Sequence, residues 1–128
     1  MPAWDDYKDA ARARGSLAFE LYVVHSTPAK GPEELQANLP AHLEYQKQLE
    51  MAGSLVFAGP LSDETGTQMQ GVGMIVYRAA SFEDAKDLAQ NDPMHQSGAR
   101  SFTLRKWMIN EGNLTVSVGL SAQSVTLS

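Results

Sequence analysis

The chain has 128 residues, 43% of them hydrophobic and 20% charged, which supports one hydrophobic core and excludes wholesale disorder. Fifteen Asp and Glu against ten Lys and Arg leave a net charge of −5, the wrong sign for gripping a phosphate backbone, so no nucleic-acid partner is expected. The complete absence of Cys removes disulfides, thiolate nucleophiles and Cys-ligated zinc in one step.

The first residues, Met1 to Asp6, carry acid where a signal peptide needs base, and no apolar run is long enough to cross a bilayer; a cytoplasmic chain without a membrane partner is the expectation. Trp4 to Arg14 places Trp4, Tyr7 and Ala11 at helical spacing before Gly15-Ser16, which reads as a helical arm. Ala18 to Val24 alternates as a strand, with Phe19, Leu21 and Val23 on one face and Glu20, Tyr22 and Val24 on the other. His25 to Pro32 holds two Pro and a Gly and reads as a loop. From Glu33 to Ala52 the pattern is helical. Pro40 lacks an N–H, which predicts a lead-in turn, a helix starting around Pro40, and a stop at Gly53. Leu39, Leu43, Leu49 and Ala52 form its expected buried stripe.

A short strand over Ser54 to Ala58 is predicted to end at Gly59-Pro60, and Val72 to Arg78 is the next strand after a polar loop. Ser81 is a helix cap, with Phe82, Ala85, Leu88 and Ala89 as the buried side and Asn91-Asp92-Pro93 as the stop. Ser101 to Ile109 is the last core strand, and the tail (Leu114, Val116, Val118, Leu120) alternates weakly, as an edge strand or a surface for a neighbour. The order β-α-β-β-α-β defines an α+β, ferredoxin-like protomer. The expected division is an arm over 1–16, the main domain over 17–111 and an extension over 112–128. The sheet face away from the helices is expected to carry Tyr22, Tyr77 and Trp107 beside Glu20 and Arg105. Burying three aromatic rings is worth several kcal/mol at about 25 cal/mol per Å2, so a homodimer joined through that open face is predicted.

His42 falls at helical spacing with Tyr45 and Leu49, so its ring borders the apolar stripe. A packed structural His is one reading. Asp92 closes the second helix, where the macrodipole disfavours an acid, and an Asp-Pro turn explains it without any function. If the two meet, the carboxylate fixes the imidazole tautomer and frees the other ring nitrogen for proton transfer; spacing leaves that meeting open. His95, three residues after Asp92, completes a two-His-one-carboxylate set, but no dedicated ligand spacing accompanies it, so no metal or other cofactor is expected. His25 reads as a surface residue. Gly71-Val72-Gly73 lacks the third Gly of a dinucleotide loop, and Arg100, Arg105 and Lys106 form a small basic patch suited to an anion or to plain solvent.

Three pieces carry a family resemblance: Leu39-Pro40-Ala41-His42-Leu43-Glu44-Tyr45, Gly53-Ser54-Leu55-Val56-Phe57-Ala58-Gly59-Pro60-Leu61, and Asn91-Asp92-Pro93. Together, over about Leu17 to Glu111, the chain resembles the YciI (YCII-related) family. The resemblance implies a dimeric α/β barrel of ferredoxin-like protomers and an active pair matching His42 and Asp92. Similar proteins include a lyase that removes chloride from a hydroxylated aromatic, and the wider superfamily includes muconolactone isomerase and haem-binding enzymes. The resulting expectation is a lyase- or isomerase-type enzyme acting on a small cyclic or carbonyl-containing molecule, with His42 moving a proton, Asp92 orienting it, and Tyr45 and His95 binding substrate. The alternatives are a non-catalytic dimeric module that binds a small ligand, and a haem or metal protein.

Overall fold

A computed structural model describes all residues, 1–128. It divides into two compact units, Glu20–Trp107 and Met1–Phe19 with Met108–Ser128. The elements in chain order are α1 (Trp4–Ala13), β1 (Phe19–Pro28), α2 (Pro32–Ala52), β2 (Leu55–Ser62), β3 (Met69–Tyr77), α3 (Phe82–Gln90), α4 (Pro93–Gln96), β4 (Arg100–Ile109), β5 (Val116–Gly119) and β6 (Ser124–Leu127).

The larger unit is the predicted α+β, ferredoxin-like arrangement: one sheet in the order β2-β3-β1-β4, with β3 antiparallel to both β1 and β2. Tyr22 pairs with Tyr77 and Val24 with Ile75, and these four side chains form one core with Leu49 of α2 and Ala85 and Ala89 of α3. Tyr22 and Tyr77 are therefore under the helices, not on the open face assigned to them from sequence. The small Ala85 and Ala89 make room for the rings, and Phe82 meets Tyr22 edge-on at 6.3 Å. Of the three expected open-face aromatics, Trp107 alone is there, beside a hollow of about 260 Å3 lined by Val23, His25, Met74, Thr103 and Arg105.

Three proline predictions are also corrected. Pro40 lies inside a single 21-residue helix rather than starting one. It is solvent-exposed, so the hydrogen bond its ring forbids is lost on the wet side of α2, and Pro32 in the first turn starts the helix instead. β1 continues through His25 and Ser26, which pair with Met74 and Gly73, and ends at Pro28. β2 continues through Pro60 because it is an edge strand, where a missing N–H breaks no ladder. α2 ends as expected: Gly53 takes φ 82°, and Ser54 N–H closes on the Leu49 carbonyl at 2.9 Å.

β3 carries an irregularity that shapes the site. Pro60 pairs with Gly73 but Ser62 pairs with Met69, so β3 bulges between these pairs. Gly71 sits in the bulge at φ 79°, where an L side chain is strained.

In the smaller unit, α1 stops at Gly15, and Leu17 and Ala18 bond to the backbone and side chain of Asn110. The tail forms its own two-stranded antiparallel sheet, β5 with β6, in place of an added edge strand on the main sheet. No helix is long and apolar enough to cross a membrane.

Candidate functional site

Asp92 follows α3 in an extended conformation and caps α4, its Oδ1 accepting the Met94 N–H at 2.9 Å. Pro93 at the first helical position fixes the turn. The carboxylate thus lies at the start of a helical turn, where free N–H groups favour it, and the dipole penalty inferred from sequence does not arise. α2 and α4 pack together, and this contact brings His42 onto Asp92. The imidazole Nδ1 stands 2.8 Å from Oδ1 and 2.9 Å from Oδ2.

Asp92 has no solvent exposure, whereas the His42 side chain is 17% exposed. A buried carboxylate needs donors. Met94 N–H and His42 Nδ1–H supply them, and a neutral His42 then carries its lone pair on Nε2. No protein group bonds Nε2.

His42 opens onto a cavity of about 400 Å3 between α2, the β2–β3 hairpin and the start of β4. Leu39 and Leu43, expected in the core, are 43% and 55% exposed and line this cavity on either side of His42. Ala58, Pro60 and Met74 make part of the apolar sheet wall opposite. Besides His42, its polar lining side chains are Arg100, Ser26 and Gln46.

Arg100 is held by three bonds: Nε–H to Ser26 Oγ and Nη2–H to the Ser26 carbonyl, both 2.8 Å, and Nη2–H to the Gly71 carbonyl. Ser26 Oγ stands 2.8 Å from His95 Nε2, and His95 Nδ1 is 2.8 Å from the Ala89 carbonyl. A carbonyl can only accept, so Nδ1 carries the His95 proton and Ser26 donates to Nε2. The whole chain of bonds fits a neutral His95. Burial lowers the His95 pKa, against the smaller upward pull of the Ala89 carbonyl and Asp92. Burial also lowers the Arg100 pKa, which leaves a guanidinium charged at neutral pH.

His42 and Asp92 are therefore brought together, while Tyr45 and His95, expected to touch substrate, stand behind the cavity wall. Tyr45 donates to the Leu88 carbonyl at 2.7 Å, and burial, then the charge of Asp92, raises its pKa. His95 packs against Phe102 with ring centroids 4.7 Å apart. No group of three or more His, Asp or Glu is arranged to hold a metal ion, and both nitrogens of His95 are already engaged. Ser26 and Gly71 were missed from sequence and Arg100 was left in a diffuse patch. One signal was available: Arg100 continues the inward parity of Phe102 and Leu104, as Ser26 continues that of Tyr22 and Val24.

The YCII-related domain model matches residues 20–108. An uncharacterized protein of Bacillus subtilis, YjpA, is 30% identical over 76 residues, spanning 59% of this chain and 82% of that protein. The "derivative of benzaldehyde biosynthesis cluster protein C" of Emericella nidulans is 35% identical over 86 residues, 61% of this chain and 87% of the relative. Among solved structures, the 5-chloro-2-hydroxyhydroquinone dehydrochlorinase TftG of Burkholderia phenoliruptrix, in complex with 2,5-dihydroxybenzoquinone, is similar in fold. It superposes with a TM-score of 0.53 at 24% identity, over 68% of this chain and 92% of that one. With a family model spanning the whole ferredoxin-like sheet and both helices that meet at His42 and Asp92, the chain belongs to the YCII-related domain family.

Proposed function

We propose that this protein is a lyase- or isomerase-type enzyme that moves a proton on a small cyclic, carbonyl-containing substrate. The observation that carries this reading is the His42–Asp92 pair at the mouth of an apolar cavity, with Nε2 unengaged by protein. His42 Nε2 takes a proton from a carbon beside a carbonyl. The C–H electrons pass into the ring as an enolate, and Asp92 stabilises the imidazolium that forms. Returning the proton to a different carbon completes an isomerisation. Expelling a leaving group such as chloride from the enolate completes an elimination instead. Tyr45 and His95 act as positioning residues, one bracing α2 against α3 and the other fixing Ser26 and Arg100.

The names of two relatives agree with ring chemistry, one a dehydrochlorinase of a chlorinated hydroquinone and one belonging to a benzaldehyde-derivative cluster. The test is incubation with a panel of cyclic enones and chlorinated hydroxyhydroquinones, followed by proton NMR and chloride release. Double-bond migration or chloride release that depends on His42 is expected. Ligands that bind without any conversion would instead indicate a binding module.

A second copy of the chain, joined through the open sheet face, completes this reading. Trp107 at 44% and Phe57 at 50% exposure are large apolar side chains for such a contact.

A further inference from the structure

Arg100 is unusual among the basic residues of the larger unit in facing the cavity. Its Nε–H and its Nη2 hydrogens are spent on three neutral oxygens, those of the Ser26 side chain, the Ser26 carbonyl and the Gly71 carbonyl. Its Nη1 group, with two further N–H donors, has no protein acceptor. No carboxylate forms an ion pair with it. The acid acting on it electrostatically is Asp92, whose oxygens already hold His42 and Met94 N–H. A partly desolvated cation without a counterion is costly, and the cost is relieved when an anion arrives.

The guanidinium is also set in place before any ligand binds. Two of its three anchors are backbone carbonyls, and one belongs to Gly71 in its left-handed bulge. With Nε and Nη2 held by the protein, the fixed guanidinium presents the two N–H groups of Nη1 to the cavity, which suit an anionic oxygen of a carboxylate or a ring enolate. Most of the remaining wall is apolar, so it offers a flat ring a surface and no competing charge.

We infer that Arg100 is the anion-binding end of the cavity, so that the substrate is a small ring bearing a carboxylate or an ionised ring oxygen, held by Nη1 while its reacting carbon faces His42. The placement of the reacting carbon rests on the proton-transfer reading; the anion preference rests on Arg100 alone.

Two probes of equal size and shape, benzoate and benzamide, separate charge from ring. Their binding to the full-length protein is followed by amide chemical-shift titration of the wild type and of Arg100→Gln and Arg100→Lys. Benzoate is expected to bind at least about tenfold more tightly than benzamide. Arg100→Gln abolishes that preference, while Arg100→Lys keeps part of it. Equal affinities for the two probes, a preference that survives in Arg100→Gln, or no binding of benzoate to the wild type would each overturn the inference. Should Arg100→Gln fail to fold, the wild-type comparison and Arg100→Lys still decide it. Proton transfer without charge preference would remove the anion site and keep the catalytic reading; charge preference without proton transfer would do the reverse.

Discussion

Asp92 and His42, 50 residues apart in sequence, form a two-oxygen contact in which a fully buried carboxylate grips the Nδ1 edge of a ring that opens to a cavity. The contact divides the imidazole into a held side and a working side.

Replacing Asp92 with Asn keeps the shape and removes the charge. The amide offers an N–H toward Nδ1, which favours the opposite tautomer and leaves Nε2 protonated. Proton transfer is expected to fall by about 10^2–10^4. Stability falls by about 1–3 kcal/mol, since charge-assisted bonds from His42 and Met94 are weakened. Nitrogen-15 spectra of His-labelled protein, read beside urea unfolding, check both halves: the wild-type ring is protonated on Nδ1 and the variant ring on Nε2.

His95 makes stability depend on pH. Burial holds its pKa below the ordinary 6.5, so the unfolded chain binds this proton more readily than the folded one. The contribution is complete above pH 6.5 and is lost as pH falls from there toward the folded value. Protonation would also place a second cation beside Arg100 and reverse the Ser26 bond, with Nε2–H donating to an oxygen that already accepts from Arg100 Nε–H. Melting temperature is expected to drop on acidification below about pH 6.5, and to drop less steeply in His95→Gln. Parallel slopes for the two proteins would show that His95 does not contribute.

Two glycines of β3 give a matched pair. A Cβ on Gly71 would sit at φ 79° and 3.0 Å from Pro28 Cγ. Gly71→Ala is expected to cost about 1–2 kcal/mol and to loosen the carbonyl that anchors Arg100. A Cβ on Gly73 meets nothing nearer than 3.9 Å. Gly73→Ala should therefore stay within about 1 kcal/mol of wild type. Urea midpoints of the two variants make the comparison.

The open face gives a prediction about mass. Light scattering should find twice the 13.9 kDa chain mass for the wild type. Trp107→Asp, which puts a charge on that face, should shift it to a single chain at low micromolar concentration.

The element order was legible because each strand and helix has its own period and its own stop, such as Ser81 capping α3 and Gly53 closing α2. The faces were not. β1 is apolar on both sides, Leu21 and Val23 against Tyr22 and Val24, so alternation alone does not say which set meets the helices. The partner decides: Tyr22 and Tyr77 share the core with the small Ala85 and Ala89 of α3. Pro28, Pro40 and Pro60 misled for a common reason. Each lies where the lost N–H costs little, at a strand end, on a wet helix face and on a sheet edge. Those prolines hid the inward parity that brings Ser26 to Arg100. His42 and Asp92 were identifiable as candidates from residue type and family likeness, while their contact depends on α4, a four-residue helix too short to leave a period.

Deuterium wash-in to a ring substrate tests the central claim most directly. In heavy water, with a cyclic carbonyl compound that the wild type converts, deuterium should enter the carbon beside the carbonyl at a rate proportional to enzyme. His42→Gln should slow that entry by at least about a hundredfold while folding normally. Entry at the wild-type rate in a folded His42→Gln protein would contradict the account.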